Sequence, residues 1–218
     1  MKKLKVLLVP TTNSGITHYR FSNFWDAAYR TGVADFHVLW HQKGLNHMHP
    51  WQFDVNKPEH MFRITKEMQD WAIRSDAIVF QMLHTTHGLE LFRAVKELVP
   101  RVPILSEIDD HMISTPIYNA ADPYYAPGSE MREVAIHQFK ESDGMIVSTS
   151  YLRNEVYSEF NQNIHVVPNA IDFKIWDKLK RKSRPGIRIG WAGGASHDED
   201  LKILETIIPR VVERHKEV

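Results

Sequence analysis

The sequence predicts an α/β protein built on a doubly wound parallel sheet. Three observations lead there. Short apolar runs bounded by turn-formers recur along the 218 residues, and such runs mark strands buried on both faces. Between them lie stretches whose apolar residues recur at helical spacing, so strand and helix alternate. The residues best suited to chemistry fall just after the apolar runs, where open α/β sheets bind ligands.

The elements follow in order. Lys5 to Val9 reads as a buried strand, Pro10 to Gly15 as a loop, and Thr17 to Arg30 as an amphipathic helix carrying Phe21, Phe24, Trp25 and Ala28 on one face. Ser14-Gly15 at the helix entrance, with His18, Tyr19 and Arg20 in its first turn, can bind an anionic or sugar ligand through free amides and side chains. The alternative is an ordinary N-terminus with an aromatic residue packed beneath it. Phe36 to Trp40 is a second strand, and Gln42 to Lys57 a long surface loop. His41, His47 and His49 lie in or beside that loop, a poor metal-ligand spacing without an added acid or thiolate.

A helix over Met61–Arg74 leads into a third strand, Asp76 to Gln81. His84, Thr85, Thr86, His87 and Gly88 follow its carboxyl end, and a helix continues to Leu98; each histidine has a capping or solvated role as its alternative. Val102 to Leu105, punctuated by Pro100 and Pro103, is the fourth strand. Directly after it come Glu107, Asp109, Asp110 and His111. Asp109 or Asp110 can simply cap a turn, but acids this close repel one another unless something uses them.

Thr115 to Gly128 is rich in Pro, Tyr, Ala and Asn, and Glu130 to Glu141 is a helix. The strand Gly144–Ser148, a helix to Phe160 and the short strand Ile164–Val167, ended by Pro168-Asn169, complete the series. Right-handed crossovers bring all these strand ends to one rim. Asp172 to Arg184, with Lys178, Lys180, Arg181 and Lys182, has the composition of a linker. Ile187–Ala192 then predicts a new strand, Gly193-Gly194-Ala195-Ser196-His197 a glycine-rich loop, and Asp198–Arg214 a helix interrupted at Pro209. The expected division is a domain over 1–171, a linker over 172–186 and a single β-α unit over 187–218.

Composition narrows the partners. Lysine plus arginine and aspartate plus glutamate each number 27, which argues against a general nucleic-acid or membrane-surface binder. There is no cysteine, so disulfides and thiolate metal sites are excluded and any metal would need His or carboxylate. The apolar run after Met1-Lys2-Lys3 is too short for a signal peptide, and no window approaches a membrane span. The expectation is a cytoplasmic protein with small or specific partners.

Four stretches together resemble the retaining, nucleotide-sugar-dependent glycosyltransferases of the two-Rossmann-domain (GT-B) type, the large family 4 group. These are Asn13-Ser14-Gly15 with Tyr19-Arg20; Glu107-Ile108-Asp109-Asp110; Val147-Ser148-Thr149-Ser150-Tyr151-Leu152, where the family reads S-T-x-x-L; and Val166-Val167-Pro168-Asn169-Ala170-Ile171-Asp172, where it reads V-x-P-N-G-V-D. Ile189-Gly190-Trp191-Ala192-Gly193-Gly194 looks like the opening of the family's second domain. Ala170 departs from the usual glycine.

The resemblance implies a Rossmann-like acceptor domain followed by part of a donor domain. It implies transfer of a sugar from a nucleotide-diphosphate sugar to a hydroxyl of a carbohydrate, lipid-linked or protein acceptor, with no prosthetic group and no metal required. Catalysis would fall to Asp109, Asp110, His111 and His84. Acceptor binding would fall to Gly15, His18, Tyr19, Arg20 and Glu107, the last with a structural alternative, and donor binding to Asn169, Gly193, Gly194, Ser196 and His197. Residues 187–218 supply too little to close a second core, so the chain by itself is expected to be inactive and to bind nucleotide weakly, its tail docking on the first domain, pairing with a second copy in self-association, or being mobile. A non-catalytic binding module completed by a partner chain is the other reading.

Overall fold

A computed structural model describes residues 3–11, 15–38, 66–117, 119, 121–180, 189–191, 193 and 197–215. Its centre is a six-stranded sheet in which every pairing is parallel. The strands are β1 (Leu4–Val9), β2 (Ala34–Val38), β3 (Ala77–Gln81), β4 (Ile104–Ile108), β5 (Gly144–Val147) and β6 (Ile164–Val166), in the spatial order β2-β1-β3-β4-β5-β6. The helices are α1, continuous through Gly15–Thr17, a wider π-helical stretch His18–Ser22, and Asn23–Thr31; α2 (Lys66–Arg74); α3 (Thr86–Leu98); α4 (Asp122–Tyr125); α5 (Glu130–Glu141); α6 (Leu152–Tyr157, also π-wound); α7 (Phe173–Trp176); and α8 (Asp198–Arg214). This is a Rossmann-like α/β architecture. No helix among the described residues is long and apolar enough to cross a membrane.

Strand alternation sorts side chains onto two faces. Leu7, Val9, Ile78, Phe80 and Ile104 point one way and pack with Met68 and Ala72 of α2 and Leu89, Phe92 and Val95 of α3; the Phe80 and Phe92 rings meet edge to face at 5.3 Å. Farther along, Ile108, Met145 and Val147 pack under Ala135 and Phe139 of α5 and Leu152, Val156 and Tyr157 of α6. Leu8 and Val79 point to the opposite face, where Phe21 of α1 covers them.

Two aspartates fix where strands start. Asp76 Oδ2 accepts the Lys5 amide at 2.9 Å, and Asp143 Oδ2 accepts the Ile104 amide at 2.7 Å, so amides at the sheet's amino edge are satisfied. Gly144 opens β5 because nothing larger fits: a Cβ there would lie 2.9 Å from the Asn163 carbonyl oxygen and 3.0 Å from Leu105. Gly144→Val is therefore expected to lower stability by about 1–3 kcal/mol, seen as a lower urea midpoint at unchanged slope; an unchanged midpoint would show that β6 can yield.

Several boundaries differ from the sequence reading. β2 begins at Ala34 and not Phe36, and α1 begins at Gly15. β4 does not stop at Leu105. It runs to Ile108, because Glu107 is paired in register with Gln81 of β3 and Ile146 of β5, and two ladders of hydrogen bonds outweigh the polarity of the sequence there. The stretch expected to be only linker contains α7. Ile189, Gly190 and Trp191, the described part of the expected strand over 187–192, are exposed and belong to no strand. The histidine-rich loop with His41, His47 and His49, and the first residues of the helix expected from Met61, lie outside the described residues.

Candidate functional site

In the strand order the chain first steps from β1 to β2 and then crosses β1 to place β3 on its other side. Loops diverge at such a reversal, leaving a crevice outside the carboxyl ends of the two strands. A cleft of about 480 Å3, open solvent at its mouth included, lies beside this point. Its walls include Thr11 after β1, Ile16 of α1, Gln81, Met82 and His84 at the end of β3, Glu107 to Asp110 at the end of β4, and Met112 and Tyr125.

The floor is held by two glutamines. Gln81 Oε1 accepts from the Thr11 amide at 3.1 Å and from Thr17 Oγ1 at 3.1 Å, tying the β1 loop and the start of α1 to β3. Gln138 of α5, fully buried, accepts the Leu83 amide at 2.7 Å and donates to the Gln81 carbonyl at 3.3 Å. The acidic wall is held through its backbone. Ser148 Oγ donates to the Asp109 carbonyl at 2.7 Å, and the Tyr157 hydroxyl donates to the Asp110 carbonyl at 2.6 Å while accepting the Met112 amide at 3.2 Å. Burial pushes the Tyr157 hydroxyl above its ordinary pKa, so it stays neutral. With both carbonyls fixed, the Asp109 and Asp110 side chains are presented from a rigid base.

Arg20 and Glu107 are 3% and 2% exposed and bond to each other, Arg20 Nε to Glu107 Oε1 at 2.5 Å. Arg20 Nη1 also donates to the Val167 carbonyl at 2.7 Å and to Asn169 Oδ1 at 3.0 Å, and Asn169 Nδ2 reaches Asp109 Oδ2 at 3.4 Å. One guanidinium thus joins α1, β4 and the segment leaving β6. Glu107 Oε2, by contrast, has no hydrogen-bond partner among the described residues.

Burial raises the Glu107 carboxyl to about 7; Arg20 opposes the rise, and Asp109 and Asp110 add to it. Asp110 is also raised, by partial burial and then by Asp109, against a lowering by His197. His84 is lowered by burial, which favours its neutral form.

The other expected site residues fall as follows. His111 and His18 are exposed and Tyr19 is half-buried; none of them lines the cleft. Gly15 is the first residue of α1, next to Ile16. Asn169 bridges Arg20 and Asp109. Gly193 is exposed beside the Trp191 ring. His197, at the start of α8, is exposed and meets Asp200 at 2.8 Å. Gly194 and Ser196 lie outside the described residues. Gln81, Gln138, Tyr157, Ser148 and Tyr125 were missed by the sequence reading; the usable signal was a glutamine ending an otherwise apolar run at Ala77–Gln81.

Glu107 gives the fold a pH dependence of definite sign. Its folded pKa, about 7, exceeds the ordinary 4.5, so between these values the folded chain keeps a proton that the unfolded chain has lost. Its contribution to stability therefore falls as pH rises through that window and levels off above it. Relative to Glu107→Gln, the wild type is expected to lose stability between about pH 5 and pH 8 in urea titrations. A constant difference between the two proteins would contradict the raised pKa.

No protein-family model matches the chain, and no curated protein matches it.

Proposed function

We propose that the chain is the acceptor-side part of a retaining glycosyltransferase of the GT-B kind, acting with a nucleotide-diphosphate sugar. The observation that carries this reading is the pair Asp109 and Asp110 on a backbone-pinned strand end in an open cleft at the sheet's reversal point. The motif order described above supports it. In the proposed reaction the bond between the anomeric carbon and the diphosphate oxygen breaks, and a bond from the acceptor hydroxyl oxygen forms on the same face. The hydroxyl proton passes to Asp109, Asp110 or an oxygen of the departing diphosphate. Neutral His84 is placed to accept a hydroxyl hydrogen bond. His197 is near enough to influence Asp110, and in this reading it belongs to the donor side.

The second reading, a binding module completed by a partner chain, is favoured by α8, whose Ile203, Ile207 and Val212 are exposed apolar residues. The experiment is a panel of nucleotide-diphosphate sugars and glycoside acceptors, assayed by mass spectrometry with the longest natural polypeptide that contains these residues. A covalent glycoside product bearing the donor's sugar is expected. Absence of product across the panel, together with saturable acceptor binding, would favour the binding module.

A further inference from the structure

The cleft has an unbalanced charge and an unused acceptor. Glu107, Asp109 and Asp110 line it. The Arg20 guanidinium beside them is occupied, its Nε on Glu107 and its Nη1 on Val167 and Asn169. His84 is held toward its neutral form by burial. Tyr125, also in the wall, is raised above its ordinary pKa and uncharged. His197 is engaged with Asp200. Glu107 Oε2, on a side chain 2% exposed, still lacks any donor among the described residues. A buried carboxylate oxygen without a donor is a costly arrangement that a ligand can relieve.

What relieves it is a cation with N–H donors. Among the described residues no three His, Asp or Glu side chains converge to hold a metal ion, and the cleft that the acids line has about 480 Å3, open solvent at its mouth included. Beside the polar Thr11 and Gln81 the wall carries the apolar Ile16, Met82, Ile108 and Met112, side chains suited to the face of a ring.

We propose that the cleft binds a small ring compound bearing a protonated amine, with the ammonium among Glu107, Asp109 and Asp110. Resting on the transferase reading, this compound is the acceptor, an aminated sugar; its binding stands on the cleft alone. Phosphorylated and carboxylated sugars are rejected by the same three acids.

Binding has a proton signature. An ammonium beside Glu107 favours its charged form, so at pH 7 complex formation releases protons from Glu107, whose carboxyl is raised to about 7. Isothermal titration with glucosamine, N-acetylglucosamine and glucose 6-phosphate, each in two buffers of different ionisation enthalpy, tests this. Glucosamine is expected to bind about tenfold or more tighter than N-acetylglucosamine, the phosphate not to bind, and the glucosamine heat to differ between buffers. The buffer difference should shrink sharply in Glu107→Gln. Should that variant unfold, Asp110→Asn, whose backbone carbonyl keeps its bond to Tyr157, should still weaken glucosamine severalfold and narrow its advantage over N-acetylglucosamine. Equal affinity for amine and acetamide, binding of the phosphate, or no glucosamine binding by the folded wild type overturns the proposal. Amine binding without sugar transfer keeps it and counts against the transferase; transfer without amine preference does the reverse.

Discussion

Asp109→Asn and Asp110→Asn are each expected to lower the proposed sugar transfer, by about 10²-fold or more for whichever residue receives the acceptor proton. The replacement keeps shape and removes basicity. The fold should survive it, because the closer contacts that place these residues are made by their carbonyls with Ser148 and Tyr157, the carboxylates adding the 3.4 Å contact of Asp109 with Asn169, which an asparagine can keep. Unfolding free energies should therefore stay within roughly 0.5 kcal/mol of wild type, which separates a chemical effect from a structural one. Initial rates at saturating donor and acceptor are the measurement, and unchanged rates for both variants would remove the acids from the mechanism.

Arg20→Met should have the largest effect on stability, a loss of about 3–5 kcal/mol, the scale for breaking one side of a buried ion pair. Three contacts go at once: the bond to Glu107, the bond to the Val167 carbonyl and the bond to Asn169. Glu107 then remains buried without its cation, and it responds by holding its proton more tightly. Removing both charges in Arg20→Met/Glu107→Leu should recover a good part of the loss, since an apolar pair of similar volume fills the same space. Urea titrations of the two single variants and the double variant measure this. A cost below about 1 kcal/mol for Arg20→Met would mean that the guanidinium is replaceable by solvent.

The strands were legible because burial on both faces leaves a local trace: a run such as Lys5–Val9 or Asp76–Gln81 is rich in side chains that gain by leaving water. Their boundaries were less legible. Nothing near Glu107 in sequence says that β4 continues through it, since the reason is pairing with β3 and β5. Ile187–Ala192 has the same local trace as the true strands, yet its described residues pair with no neighbour; an apolar run specifies a strand only where a partner edge exists. Asp109 and Asp110 were readable as candidates because an acidic cluster directly after an apolar run is unusual in itself, and both line the cleft. Arg20 was read as facing a ligand and Glu107 as facing one or as structural; in the structure the two bond to each other across 87 positions of sequence. Gln81 and Gln138 escaped for the same reason: their importance lies wholly in partners far along the chain.

The bonds from Arg20 to Val167 and Asn169 join residues 147 and 149 positions apart. Such contacts repay their loop-closure entropy only after most of the chain is already ordered, and a fold that depends on them forms slowly. During synthesis α1 leaves the ribosome long before the segment that its arginine must grip, and until that segment arrives the guanidinium has only Glu107 to meet. The acidic wall therefore reaches its final arrangement last. A polypeptide interrupted before Val167 would carry the acids, but not the Arg20–Asn169 link that connects one of them to the rest of the sheet.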